Sequence, residues 1–86
     1  MDKNKFLVEI DGELIETKEL KLKSLKFSVH LIKSLLSPFY SVYTTISQIN
    51  EKENSEEKPM LVFYRNDLTK EQAKLYYKNQ VQLYCE

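Results

Sequence analysis

Eighty-six residues make one domain near the lower end of what folds alone, hiding roughly 60–65% of the surface its unfolded chain exposes. Thirteen basic residues balance thirteen acidic ones, which removes the footprint of a general nucleic-acid binder, and an apolar fraction of 42% removes a disordered chain. The one cysteine, Cys85, excludes an internal disulfide framework and a cysteine-based zinc site, and suits a reducing, cytoplasmic setting.

In chain order, residues 5–10 (KFLVEI) and 13–17 (ELIET) flank Asp11-Gly12, and Gly12 is the only glycine in the chain. An Asp-Gly pair between apolar runs is a strong short-range hairpin signal, because both turn positions need φ > 0. An N-terminal hairpin is therefore expected. Charge shifts along the chain. Residues 1–16 are net acidic, and residues 17–50 carry five lysines against one glutamate. A mildly basic segment between acidic ones suits self-association, an acidic partner or simply a solvated surface.

Residues 24–50 (SLKFSVHLIKSLLSPFYSVYTTISQIN) dominate the reading. At 100° per residue Leu25, Val29, Ile32, Leu36, Phe39, Tyr40 and Tyr43 fall in one arc, which Leu31, Leu35, Val42, Ile46 and Ile49 widen to about half the circumference. A third strand over 25–31 competes, since those residues also alternate. The helix keeps phase with everything after it, so a long amphipathic helix over 24–50 is expected, kinked or broken at Ser37-Pro38.

Residues 51–59 (EKENSEEKP) read as an exposed charged loop. Residues 60–65 (MLVFYR) read as a strand, and their continuous apolar character suggests a central place in a sheet. Thr69 reads as the N-cap of a helix over 70–84, with Gln72 closing a capping box and Glu71 in the first turn. Ala73, Tyr76, Tyr77, Gln80, Leu83 and Tyr84 share one face of it, and Leu75 points elsewhere. The fold class expected is α+β: a small antiparallel sheet packed by helices on one side. A free sheet face and edges invite a second copy, so a homodimer is expected.

Chemistry is thin. His30, the only histidine, would lie among Lys26, Lys33 and Ser34 with nothing to orient it as a base, and Cys85 lacks a basic neighbourhood. The glutamates of 51–57 lack EF-hand spacing, and one glycine cannot build a phosphate-binding loop. No catalytic residue, metal site or cofactor is expected, and no membrane association, since no apolar run approaches the ~20 residues of a span. Six tyrosines and no tryptophan supply rings with a polar tip, a composition that suits interfaces. Tyr64, Leu75, Tyr76 and Tyr77 are the candidate contacts for a protein partner.

The expected function is a non-enzymatic interaction module, such as a stoichiometric inhibitor or an assembly factor. Small, motif-free chains rich in Lys, Asn and Glu offer a compositional analogy with phage-encoded modulators of host systems. The alternative is a small nucleic-acid-binding regulator with Lys18, Lys21, Lys23, Lys26 and Lys33 on phosphates and Phe63 or Tyr64 stacking bases.

Overall fold

The computed structural model describes residues 12–50, 52 and 55–86. Its elements are β1 (Gly12–Leu22), β2 (Leu25–Ser34), β3 (Tyr40–Asn50), β4 (Ser55–Glu56), β5 (Met60–Leu68) and α1 (Lys70–Tyr84). β1, β2 and β3 form an antiparallel meander, and β5 returns antiparallel along the far edge of β3. The two-residue β4 pairs with Ile49 and Asn50, and the Glu57 N–H reaches the Gln48 carbonyl at 2.7 Å. Part of the charged 51–59 segment is therefore hydrogen-bonded to the sheet. Pro59, which lacks an N–H, stands between β4 and β5.

The helix expected over 24–50 is not formed. Two strands take its place, joined by a loop around Ser37-Pro38. Tyr40, Val42, Tyr43, Thr44, Thr45, Ile46 and Ile49 are β-branched or aromatic, and such side chains lose rotamer freedom on a helix but pack well on a pleated surface. Ser28, Val29, Leu31 and Ile32 are all buried, so β2 is covered on both faces. Burial on both sides fills the polar positions of a strand with small or apolar residues, and the resulting pattern imitates a broad helical arc.

The N-terminal hairpin is also revised. Strand 13–17 exists but runs on to Leu22, while residues 1–11, including the proposed strand 5–10, lie outside the described residues. Gly12 is not a positive-φ turn residue; it opens β1 opposite Ser34. A Cβ there would stand 2.5 Å from both Ile32 Cγ2 and the Lys33 carbonyl oxygen, so Gly12 serves close approach of two strands. The tight turn lies instead at Lys23-Ser24, where Lys23 takes φ 56°. β5 pairs only with β3 among the described residues, which makes it an edge strand with Met60 to Val62 exposed.

The C-terminal helix matches its expected bounds. Thr69 Oγ1 accepts from Gln72 N–H at 3.2 Å, and Gln72 Oε1 accepts from Thr69 N–H at 3.1 Å. Ala73, Tyr77, Gln80 and Val81 are buried against the sheet, at spacings of four, three and one residues that trace a helical stripe. Leu83, expected on that stripe, is exposed, and Val81 takes the inward place. The core is Val29 and Leu31 of β2, Val42 of β3, Leu68 of β5, and Ala73, Tyr77, Val81 and Cys85 from the helix and its C-cap.

Candidate interaction surface

Strand alternation divides the expected site residues. Tyr64 lies opposite Tyr43, on the sheet face away from the helix, whereas Leu75, Tyr76 and Tyr77 belong to α1. Tyr77 is buried in the core, and Tyr76 packs its ring against Phe63 at 5.9 Å. Leu75 alone of the helical trio is broadly exposed. These four do not make one surface.

The lysines are divided as well. Lys18 pairs with Val29, and Lys33 lies in register between Glu13 and Tyr40, both on the helix side. Lys21 and Lys26 pair with each other on the opposite side, and Lys23 occupies the turn. Lys26 also meets Glu19 at 3.6 Å. A phosphate-tracking stripe needs its cations in one row; here they occupy two faces of a sheet.

Chemically competent groups are held in structural roles. Thr17 Oγ1 donates to the Val29 carbonyl at 3.1 Å, which uses its one proton, so its contact of 3.1 Å with His30 Nδ1 has the imidazole donating. The ring stacks on Tyr43 with centroids 4.5 Å apart. Burial lowers the His30 pKa from 6.5, with Glu19 opposing and Lys26 reinforcing the shift. Cys85 is buried, its thiol directed at the Lys18 and Phe27 carbonyls, and burial pushes its pKa up. Among the described residues no three His, Cys, Asp or Glu side chains cluster as a metal site would require. A shallow groove of about 290 Å³ between β1 and α1 is lined by Glu16, Lys18, Tyr77, Lys78, Val81 and Glu86, charges of both signs.

The feature that chain reading missed is the loop joining β2 to β3. Leu36 is 91% exposed, Leu35 63% and Phe39 40%, yet the loop is tied at every turn. Ser34 N–H donates to the Phe39 carbonyl at 3.0 Å and closes its base. Ser34 Oγ accepts from Leu36 N–H and Ser37 Oγ from Phe39 N–H, each at 3.3 Å, the local side-chain turns that serine favours. Lys33 Nζ donates to the carbonyls of Ser34 at 3.1 Å and Ser37 at 3.0 Å, with the Tyr40 ring 5.8 Å beneath it. Pro38 restricts the backbone further. Two serines, a lysine and a proline thus hold two leucines in water. The signal available in the sequence was the Leu-Leu pair beside Ser-Pro, absorbed into the apolar arc of the expected helix.

Comparison with protein-family models, with curated proteins and with solved structures finds no match for this chain. Among the described residues no helix is long and apolar enough to cross a membrane.

Proposed function

We propose that this chain is a non-enzymatic protein-interaction module, acting as a stoichiometric inhibitor or assembly factor of the host-modulating type. The observation that carries the reading is Leu36, an apolar side chain 91% exposed at the tip of a hydrogen-bonded loop. Leaving apolar surface in water forgoes roughly 25 cal/mol for each Å² that could be buried. A loop fixed in advance loses little conformational freedom on docking, which favours affinity. The mixed groove beside β1, the hydrogen-bonded, half-buried His30 and the buried Cys85 offer no comparable device for a reaction.

The test uses the full chain immobilised in an extract of its source cells. A specific protein should be retained by the wild type and lost with Leu36→Glu, while the two melt at the same temperature. Retention that ignores the substitution would remove the loop from the function.

A further inference from the structure

We propose that Lys33 is the positioning residue of the β2–β3 loop. Its ammonium, bridging two loop carbonyls, holds the loop in the shape that presents Leu36, and acts on docking without touching the partner. The inference rests on the binding-module reading above and names the group that orders its tip.

The bonds that order this loop are unequal. Lys33 Nζ donates to the carbonyl oxygens of Ser34 at 3.1 Å and Ser37 at 3.0 Å, both partly shielded from water. The Ser34 and Ser37 hydroxyl oxygens accept from Leu36 and Phe39 N–H at 3.3 Å in exposed positions. A bond from a charged donor is roughly twice as strong as a neutral one, and a long exposed bond competes with water on nearly equal terms. The Ser34 N–H to Phe39 carbonyl bond closes only the base. Most of the order at the tip therefore comes from Lys33.

Placement makes the same point. Ser34 and Ser37 flank the Leu35-Leu36 pair, so one ammonium ties the chain entering the tip to the chain leaving it. The sheet fixes where that ammonium stands. Lys33 is in register with Tyr40 of β3, whose ring centre lies 5.8 Å from Nζ, within reach of a cation–π contact. Glu13 stands opposite on β1, the usual place for a cross-strand ion partner, yet two of the three ammonium donors go to the loop. A lysine engaged in this way is a brace for the loop, not the phosphate contact that its charge alone would suggest. A loop that must be ordered at the moment of binding loses affinity, which is how Lys33 acts on a partner it does not meet.

The test uses the full chain and Lys33→Met, which keeps the apolar stem and removes the ammonium. Backbone 15N relaxation is read on the free protein. The order parameters of the Leu35 and Leu36 amides should fall from about 0.85 to below about 0.6, while those of β2 and β3 hold. Ser34→Ala and Ser37→Ala should each lower them less, and Lys33→Arg should restore them. Retention of the protein captured from source-cell extract should weaken about tenfold with Lys33→Met and recover with Lys33→Arg. Unchanged order at Leu35 and Leu36 in Lys33→Met overturns the proposal, as does a larger loss from either serine variant. So does a loosened loop that still captures a Leu36-dependent partner at full strength. Capture indifferent to Leu36→Glu removes the binding-module reading instead, and the relaxation data then decide the role of Lys33 by themselves.

Discussion

Thr44 and Gln80, 36 residues apart, meet inside the core through a hydrogen bond of 2.8 Å from the Thr44 hydroxyl to the Gln80 side-chain oxygen. Thr44 is fully buried in the middle of β3, and Gln80 is buried on the helix. Their surroundings are apolar: Val29, Val42, Ala73 and Val81. Apolar packing alone would tolerate small shifts of the helix along the sheet; a buried polar pair penalises every position but one.

Thr44→Val keeps the shape and leaves the Gln80 oxygen unpaired, which should cost about 1–3 kcal/mol of unfolding free energy. Replacing both partners, as Thr44→Val with Gln80→Leu, should cost less than the two single changes added together. Urea denaturation of the four proteins measures the coupling. Strict additivity would mean that the hydrogen bond does not position the helix.

Gly12→Ala addresses the start of β1. The new methyl would meet Ile32 Cγ2 and the Lys33 carbonyl oxygen at 2.5 Å, and the carbonyl belongs to backbone that cannot move aside cheaply. Destabilisation of about 1–3 kcal/mol is expected, the range of an overpacked site. A neutral or stabilising effect in the same denaturation assay would return Gly12 to the role of an ordinary loop residue.

His30 gives the fold a pH dependence of known sign. Burial against Tyr43 lowers its folded pKa below the ordinary 6.5, so the folded state prefers the neutral ring. The unfolded chain binds the proton more readily. The contribution is therefore complete above pH 6.5 and is lost as pH falls through the folded value. Glu19 opposes this downward shift and Lys26 reinforces it. Denaturation midpoints between about pH 7.5 and about pH 5 should fall for the wild type more than for His30→Phe, which keeps a ring on Tyr43 without a titrating group. Parallel curves for the two proteins would contradict this account.

Helix 70–84 was legible in the sequence because its information is local. Thr69, Gln72 and the stripe from Ala73 to Gln80 specify start, direction and buried face within a few residues. Strand 60–65 was legible for a similar reason, through its density of aromatic and β-branched side chains, although its place at an edge was not. Val81 rather than Leu83 faces inward because it lies one turn after buried Tyr77, which sets that side of the helix against the sheet.

Residues 24–50 could not be resolved in that way. In β2, Ser28 and Ile32 are buried on one face and Val29 and Leu31 on the other, so the alternation that marks a half-exposed strand is erased. The remaining pattern fits a wide helical arc about as well. The choice falls to partners distant in sequence: β1 on one side of β2 and β3 on the other, with α1 closing over them. Ser37 accepts the Phe39 N–H, but in a loop turn between two strands rather than at the start of a helix. Beyond that bond the chain extends into β3, because the hydrogen bonds of β2 and β5 are waiting on either side.

By itself, then, the sequence determined an α+β chain with a capped C-terminal helix and an apolar strand over 60–65. Tertiary structure decided that the middle third is a hairpin, that the lysines part onto two faces, and that Leu35 and Leu36 stand in water. The physical reason is that capping and turn chemistry act over three or four residues, whereas sheet pairing joins residues a dozen or more apart and dictates which side each one faces.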